Sequence, residues 1–278
     1  MISEKESYEE IVTGSIYNET TIADQIHTKW AGKTVHFARE IDSTNLWIKR
    51  LAKEGASEGT LALAEFQSAG RGRLGRSWEV PEGTSVMMSI LLRPKFEPQY
   101  APTLTLVMGM AVAKAVKNLG FDVSIKWPND VVVSHKKICG ILTEMGVRDG
   151  KIDYAVIGVG INVNIKEFPE EMADKATSLY LESGKEFDRS QIPGLVMEAF
   201  EKYYEKFAAT CDLSGLKEEY ESILANYNQP VRVLAKEPYE GVARGITDGG
   251  ELLVEKTDGT IVAVSAGEVS VRGLYSYV

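Results

Sequence analysis

A segment rich in glycine and arginine, residues 67–78 (QSAGRGRLGRSW), restricts the fold of this chain more than any other part of it. It follows an apolar segment typical of a strand, residues 60–66, and it contains a literal GxGxxG pattern. In a dinucleotide-binding fold that pattern must open a helix. Here the Pro-Glu-Gly sequence at 81–83 predicts a turn into a second strand, residues 85–92 (SVMMSILL). The GxGxxG match is therefore misleading, and the segment is predicted to be a loop between two strands.

The arginines of this loop are candidates for anion binding. Arg71, Arg73 and Arg76 alternate with glycines, which let a backbone approach a ligand closely. Guanidinium groups bind phosphate or carboxylate through two parallel hydrogen bonds. A solvated basic loop or a contact to nucleic acid explains the same residues. However, the chain has 31 Lys and Arg against 40 Asp and Glu, a net charge of −9, and nucleic-acid binding needs a broad basic surface. Any anion site must therefore be a local concentration of positive charge.

The other segments predict a mixed α and β region followed by a small β region. Helices are expected at residues 45–53, 102–119, 192–209 and 216–225. Strands are expected at residues 34–37, 60–66, 85–92, 123–126, 131–134, 137–144 and 154–165. From Gln229 onward, five short strands with glycine turns are typical of a β-barrel of SH3-like size. We expect an N-terminal arm with a short helix near 21–30 (residues 1–30), a central domain (residues 31–228) and a C-terminal β-domain (residues 229–278).

Several classes of protein and site are disfavoured. The first ten residues include four glutamates, the wrong sign for a signal peptide. No apolar run approaches the roughly 18 residues of a membrane span. Cys139 and Cys211 are too few for a disulfide framework, and the three histidines lack metal-binding spacing. We expect a cytoplasmic protein without membrane contact.

The segment at residues 126–130 (KWPND) is a second candidate for chemistry. Pro128 predicts a rigid turn between two strands, and this turn carries Lys126, Asn129 and Asp130. Burying those polar groups is costly unless they are paired. A turn in which Asn and Asp bind their own backbone explains the pattern equally well.

Two further segments place glycine inside predicted strands. Lys137 begins the first, residues 136–144 (KKICGILTE), which contains Gly140, and such a glycine often marks close approach of a ligand or another backbone. The second, residues 157–164 (IGVGINVN), contains Gly158 and Gly160 and carries the polar residue Asn162. A β-bulge is the alternative explanation for its glycines.

Taken together and in this order, these segments resemble the biotin protein ligases (biotin–[acetyl-CoA-carboxylase] ligases). The resemblance covers DSTN at 42–45, GRGRLGR, KWPND, KICGILTE, GVGINVN, ATSL at 176–179 and the C-terminal β-domain. It implies an α+β fold, with a mixed β-sheet flanked by helices as in biotin and lipoate ligases and a small C-terminal SH3-like barrel. It also implies a two-step reaction with Mg-ATP. Biotin is adenylated to biotinyl-5′-AMP, and a lysine of a biotin carboxyl carrier protein then takes the biotinyl group.

The resemblance implies roles for individual residues. Lys137 and Arg73 would supply the main positive charges at the reacting centre. The residues expected around biotin are Ser43, Thr44, Asn45, Gln67, Gly70, Arg71, Lys137, Gly140 and Gly158. The residues expected around the nucleotide are Arg73, Arg76, Trp78, Lys126, Asn129 and Asn162. Asp130 would help to hold Mg²⁺.

The sequence departs from the family pattern at two points. Leu74 stands where many relatives have a further basic residue, and residues 166–175 offer only Phe168 as an aromatic cover for adenine.

No N-terminal winged helix is expected, and hence no DNA binding. A homodimer that pairs the central sheets edge to edge is expected, with the strand at 154–165 as a candidate edge.

Three other functions compete with this interpretation. The first is a lipoate or octanoate ligase of the same fold, against which the C-terminal β-domain and the GRGRLGR and KWPND pair argue. The second is a non-catalytic biotin or nucleotide sensor, against which the presence of Lys137 and Arg73 argues. The third is a nucleic-acid-binding protein, with which the net charge of −9 conflicts.

Overall fold

The computed structural model describes residues 17–266, the backbone of residues 270–273, and residue 277. Its helices are α1 (Glu19–Ala23), α2 (Thr44–Lys53), α3 (Leu104–Asn118), α4 (Glu170–Ala173), α5 (Leu179–Ser183), α6 (Gln191–Thr210) and α7 (Lys217–Ser222). Its strands are β1 (Val35–Ile41), β2 (Leu61–Gln67), β3 (Ser85–Leu92), β4 (Val123–Lys126), β5 (Asp130–Val133), β6 (Lys136–Arg148), β7 (Lys151–Asn162), β8 (Pro230–Leu234), β9 (Tyr239–Ile246), β10 (Leu252–Lys256), β11 (Ile261–Val264) and β12 (Ser270–Gly273). Arg73–Gly75 and Pro98–Thr103 form 3₁₀ turns.

The strands form two sheets. The larger has the order β1-β2-β3-β7-β6-β5-β4 and is mixed, because β1 and β2 pair in parallel while the other neighbours are antiparallel. The smaller is an antiparallel sheet of order β11-β10-β9-β8-β12. The predicted α+β fold with a small C-terminal β region is therefore confirmed. Within the described residues, no helix is long and apolar enough to cross a membrane.

Helices cover the larger sheet on both faces. All eight residues of β3 are buried, and Met88 and Ile90 lie in the main core with α3 and α6. The alternate residue Leu91 packs on the opposite face against Ile48 and Ala52 of α2. Since successive side chains of a strand point to opposite faces, a strand between two helical layers is apolar throughout. The helix α2 covers only part of its face, and the candidate site lies beside it.

The two sheets are joined through the turn between β9 and β10. The indole Nε1 of Trp127 donates to the carbonyl of Gly250 at 2.9 Å. The hydroxyl of Thr103 donates to the carbonyl of Gly249 at 2.9 Å, and the Leu213 amide donates to the carbonyl of Asp248 at 2.8 Å. One of the predicted glycine turns is thus confirmed, and its carbonyls are bonded to the larger part of the chain.

The first helix differs from its prediction. It begins earlier than expected, because the side chain of Asn18 accepts the amide of Thr21 at 3.0 Å and caps its start. It also ends sooner. The amides of residues 29–31 donate to the carboxylate of Glu201 on α6 at 2.8–3.1 Å, so they do not join a helix.

Strand β6 runs past its predicted end, whereas β7 begins before its predicted start and ends at Asn162, before its predicted end. Their mutual pairing continues to Arg148 and Lys151, whereas the pairing of β3 with β7 stops at Ala155. Met145 and Val147 on the extension are exposed, so the ladder continues beyond the buried part of the sheet. The register of β7 corrects two expectations. Residues 155–161 are paired on both sides, so this stretch is not an open edge for a dimer, and Gly158 lies in a regular ladder rather than at a β-bulge.

Candidate active site

A cleft opens on the face of the larger sheet that α2 covers in part. Its floor lies where β3, β7 and β6 run side by side, with Gly160 paired to Met87 on one side and Gly140 on the other. The residues that line it are Ser43, Thr44, Asn45, Gln67, Arg71, Gly72, Arg73, Trp78, Asn129, Lys137, Gly140, Ile141, Leu142, Gly158, Val159 and Gly160. The loop after β2, the start of α2 and the KWPND turn, which are remote in sequence, therefore meet at one place.

One end of the cleft holds neutral polar groups in a connected network. The Oε1 atom of Gln67 accepts the backbone amide of Thr44 at 2.7 Å and its hydroxyl at 3.1 Å. The Ser89 hydroxyl lies 2.8 Å from the Thr44 hydroxyl and 2.6 Å from Oδ1 of Asn45. A Cβ at Gly158 would stand 2.2 Å from that same Oδ1 atom, so only glycine leaves room for the amide of Asn45. The network fixes these groups in one orientation.

A carboxylate anchors this network. Glu144 accepts the Asn45 amide at 2.9 Å and forms ion pairs with Lys49 at 2.6 Å and Arg71 at 3.6 Å. Burial alone would raise the pKa of Glu144, but the hydrogen bonds from Lys49 and Asn45 and the nearby positive charges outweigh it and lower that pKa. Glu144 is therefore a carboxylate that holds Asn45 and Arg71 at the edge of the cleft.

The indole of Trp78 lies across the glycines of the floor. A Cβ at Gly160 would be 2.6 Å from Cε2 of the indole, and one at Gly140 would be 2.9 Å from Cζ3. The ammonium of Lys137 lies 5.3 Å from the centre of the ring. The close approach predicted at Gly140 is thus made by a side chain rather than by a neighbouring backbone.

The opposite end of the cleft carries a charged cluster. Lys137 forms an ion pair with Oδ1 of Asp130 at 2.7 Å, and the Asn129 amide donates to the same oxygen at 3.0 Å. The other oxygen of Asp130 accepts the hydroxyl of Tyr277 at 2.6 Å. The backbone of Lys137 bonds to Lys175 and Thr177, so the ATSL segment lies alongside it.

Arg73 joins the loop after β2 to this cluster. One of its terminal nitrogens donates to Oδ1 of Asn129 at 2.7 Å and the other to the carbonyl of Ala266 at 2.5 Å. The turn that carries Arg73 includes Leu74, which has a φ of 56° and a side chain exposed to 63%. Leu74 therefore adds no contact to the cleft.

Two more predicted residues lie buried beside the cleft. Lys126 is 6% exposed, and its ammonium lies 3.5 Å from the centre of the Tyr277 ring. The Asn162 amide donates to the carbonyl of Thr177 at 3.1 Å, while its Oδ1 has no hydrogen-bond partner among the residues that the structure describes. Within the same residues, the buried hydroxyl of Ser85, which is paired with Asn162 across the ladder, also has no partner.

The structure brings most of the predicted site residues together, but not all of them. The predicted residues that line the cleft are Ser43, Thr44, Asn45, Gln67, Arg71, Arg73, Trp78, Asn129, Lys137, Gly140 and Gly158. Lys126, Asp130 and Asn162 adjoin it through the contacts described above. Gly70 is buried behind Trp78, where a Cβ would stand 2.2 Å from the carbonyl of that residue. Arg76 is exposed and does not line the cleft.

Sequence reasoning did not assign Ser89, Glu144 and Gly160 to the site. Ser89 is fully buried, and a serine inside the apolar segment SVMMSILL was the signal that could have revealed it. Glu144 ends the apolar run of β6 and offered no comparable signal. Gly160 lies two residues after Gly158 on the same strand, so the two positions face the same side of the sheet. A site predicted on that face should therefore have included both glycines.

Two family profiles match the chain. The profile of the biotin/lipoate A/B protein ligase family matches residues 37–162, which contain the whole floor of the cleft. The profile of the biotin protein ligase C terminal domain matches residues 227–272, which contain the smaller sheet.

Individual proteins of known name are similar over most of their length. The bifunctional ligase/repressor BirA of Bacillus spizizenii is 37% identical over 87% of this chain and 75% of its own. The biotin–[acetyl-CoA-carboxylase] ligase of Mycobacterium tuberculosis is 30% identical over 91% of this chain and 94% of its own. The solved structure of a biotin protein ligase from Aquifex aeolicus in complex with biotin and ATP superposes with a TM-score of 0.76, at 35% identity over 87% of this chain and 99% of that one.

Proposed function

This chain belongs to the biotin protein ligase family, and from that premise we propose how its cleft divides between two substrates. The chain is an ATP-dependent ligase that adenylates biotin and transfers the biotinyl group to a protein. The polarity of the cleft carries the assignment. Around Thr44 and Asn45 neutral groups form a network whose one carboxylate, Glu144, is paired with Lys49, whereas Lys137 and Arg73 place positive charge at the other end. We assign the neutral end to the biotin ring and the charged end to the reacting carboxylate and the nucleotide.

The neutral end suits a cyclic urea, which offers two N–H donors and one carbonyl acceptor. Thr44 and Asn45 present hydroxyl and amide groups that Gln67 and Ser89 hold in place. Polar groups in a pocket discriminate between ligands. A ligand without matching donors and acceptors leaves the buried polar groups of the protein unpaired, and this weakens its binding. This arrangement favours biotin over an aliphatic acyl group such as lipoate or octanoate.

In the first step, an oxygen of the biotin carboxylate bonds to the α-phosphorus of ATP. The bond from that phosphorus to the bridging oxygen breaks, and pyrophosphate leaves. No protein nucleophile takes part, so the protein acts by positioning and electrostatics. Lys137 has three donors, and its ion pair with Asp130 uses one of them. We propose that the others bring the biotin carboxylate to the phosphate, and that Arg73 neutralises charge on the nucleotide.

In the second step, a lysine amine of the acceptor attacks the acyl carbon of biotinyl-5′-AMP. An amide bond forms, the mixed anhydride breaks, and AMP leaves with the electron pair. We propose that Trp78 and the loop that carries it shield this anhydride, since the indole already lies over the floor of the cleft. Exclusion of water would protect the intermediate from hydrolysis.

Three buried polar atoms support a position for the adenine beside Asn162. The hydroxyl of Ser85, Oδ1 of Asn162 and Nε1 of Trp78 are buried, and no described residue forms a hydrogen bond with them. Buried polar groups are nearly always satisfied, so each such atom requires an explanation. We propose that the adenine edge satisfies at least the amide oxygen of Asn162, together with the nucleotide contacts expected of Arg76, Lys126 and Asn129.

We propose that Mg²⁺ enters with the nucleotide. Among the described residues, no three His, Cys, Asp or Glu side chains gather as a metal site. Mg²⁺ commonly binds one or two carboxylates together with substrate phosphates. Asp130 is the carboxylate at the charged end, and its Oδ2 holds the Tyr277 hydroxyl. Since a carboxylate oxygen has two lone pairs, Asp130 retains the capacity for one metal contact.

We also propose the acceptor, the assembly and the domain limits. The acceptor is a biotin carboxyl carrier protein, the assembly is a homodimer, and the net charge of −9 argues against DNA binding. The proposed divisions are residues 1–30, 31–228 and 229–278. The last of these divisions falls between α7 and β8.

Exchange of labelled pyrophosphate into ATP tests the function. We expect exchange that depends on biotin and is absent with lipoate or octanoate. Exchange that requires lipoate would favour a lipoate ligase, and binding of biotin without exchange would favour a sensor. Transfer of biotin to a purified carrier domain tests the acceptor separately.

A further inference from the structure

We propose that Tyr277 is a positioning residue for the nucleotide half of the site. It lies in the C-terminal part of the chain, yet it contacts Asp130 and Lys126, the two charged residues of the KWPND motif. The inference rests on the function proposed above and extends it, because it gives the C-terminal part of the chain a role in adenylation.

The hydroxyl of Tyr277 fixes the carboxylate of Asp130. It donates to Oδ2 at 2.6 Å, while Oδ1 accepts Lys137 at 2.7 Å and Asn129 at 3.0 Å. A carboxylate with donors on both oxygens cannot rotate without losing one of them. Tyr277 therefore determines where Asp130 holds the ammonium of Lys137.

The ring of Tyr277 contacts the second charge of the motif. The ammonium of Lys126 lies 3.5 Å from the ring centre, and Lys126 is only 6% exposed. A buried ammonium requires compensation, and the negative face of an aromatic ring provides part of it. Lys126 and Asp130 are paired residues of adjacent strands, so one tyrosine contacts both ends of a single turn.

The contacts of Tyr277 with Asp130 and Lys126 lie at the charged end of the cleft. The network of Thr44, Asn45 and Ser89 lies at the other end. Arg73 at the charged end also bonds to the C-terminal part, through the carbonyl of Ala266. Loss of Tyr277 should therefore weaken ATP binding more than biotin binding.

The full chain with Tyr277→Phe or Tyr277→Ala tests this inference by pyrophosphate exchange and by calorimetric titration with biotin alone. A hydrogen bond to a charged group changes an equilibrium constant by roughly tenfold or more. We expect Tyr277→Phe to raise the KM for ATP about tenfold, and Tyr277→Ala to raise it further because the ring is lost as well. For Tyr277→Phe, which keeps the ring over Lys126, the midpoint of thermal unfolding should stay at its wild-type value, and the Kd for biotin should change by less than the KM for ATP. A general structural defect would change all of these quantities together.

A double-mutant cycle isolates the contact with Asp130. In an Asp130→Asn background, Tyr277→Phe should raise the KM for ATP by less than threefold, because the charged acceptor is already gone. Tyr239→Phe and Tyr239→Ala are matched controls. The ring of Tyr239 lies 4.6 Å from the ammonium of Lys256 in the smaller sheet, away from the cleft.

Two results would overturn the inference while leaving the function intact. One is wild-type KM for ATP in Tyr277→Ala, and the other is an equal effect of Tyr277→Phe with and without Asp130→Asn. Failure of the proposed function has a different signature, since the wild-type chain would then show no biotin-dependent exchange.

Discussion

The indole of Trp78 occupies the space that a side chain at Gly160 would need. A Cβ at this position would stand 2.6 Å from Cε2 and 2.8 Å from Nε1 of the ring. Gly160 is held in the ladder by β3 and β6 on its two sides, so its backbone has little freedom to move. Trp78 can therefore lie over the floor of the cleft only because Gly160 has no side chain.

Gly160→Ala should displace Trp78 and reduce adenylation. Because neither the ladder nor the rigid indole can yield easily, we expect biotin-dependent exchange to fall about tenfold or more, in line with the effect of small displacements in active sites. The tryptophan emission spectrum should also change, and this change should vanish in a Trp78→Phe background. Gly215→Ala is the matched control, because a Cβ there has no heavy atom within 4 Å.

Lys137→Ala should severely reduce adenylation. It removes the ammonium proposed to bring the biotin carboxylate to ATP and leaves Asp130 without its ion pair. The loss of charge-assisted contacts, each about 1.5–3 kcal/mol, predicts a decrease of roughly tenfold to more than a hundredfold in exchange. Lys136→Ala is the control, since that neighbour bonds to the carbonyl of Ala173 outside the cleft. Near-normal exchange by Lys137→Ala would contradict the role assigned to Lys137.

Arg73→Ala should form the intermediate but release it. The substitution removes the two hydrogen bonds that tie the loop to Asn129 and Ala266. After incubation with biotin and ATP, the variant should retain less biotinyl-5′-AMP through gel filtration than the wild type. Arg76→Ala removes a charge from the same loop at an exposed position and should have a smaller effect. Equal retention by Arg73→Ala and wild type would show that this side chain does not hold the loop closed.

Glu201→Gln should reduce stability in a manner that depends on pH. Burial would raise the pKa of Glu201, but the amides of Lys29, Trp30 and Ala31 outweigh it and lower that pKa below 4.5. Because the folded-state pKa is the lower one, the stabilisation is complete above the unfolded value and is lost as the pH falls through the folded value. At pH 7 we expect a decrease of about 2 kcal/mol in the free energy of unfolding.

Urea denaturation between pH 7 and pH 3.5 measures this effect. The difference between wild type and Glu201→Gln should shrink as the pH falls below 4.5, the ordinary value of the carboxyl pKa. Glu205→Gln, at an exposed position on the same helix, should behave as wild type throughout. A difference that stays constant across this range would mean that the carboxylate charge does not contribute.

Elements were predictable where local pattern and tertiary contacts agree. The limits of β3 follow from its sequence, because every residue of SVMMSILL is buried between two helical layers. The extension of β6 and β7 does not follow, since the backbone ladder continues where Met145 and Val147 are exposed. The first helix also differs from its prediction, because the amide of Ala31, expected beyond the helix end at Trp30, binds Glu201, 170 residues away, and its neighbours Lys29 and Trp30 do the same instead of joining a helix.

Within the site, sequence identified residue types but not their contacts. Motifs located Lys137 and Asp130, yet no spacing rule shows that they form an ion pair with each other. The same holds for Asn45 above Gly158, which depends on how α2 packs on the sheet. Contacts between distant segments depend on how the helices and strands pack. A single sequence without its fold does not reveal this packing.

The hydrogen bond from Trp127 to Gly250 has a consequence for unfolding. It lies at a junction where Thr103 and Leu213 also bond to the β9–β10 turn, and Trp127 is only 1% exposed. Removal of the smaller sheet would open this apolar junction to water. We therefore expect a calorimetric scan to show one cooperative transition for both sheets. The KWPND motif is accordingly constrained twice, since Asn129 lines the cleft with Lys126 and Asp130 beside it, while Trp127 couples the stability of the two sheets.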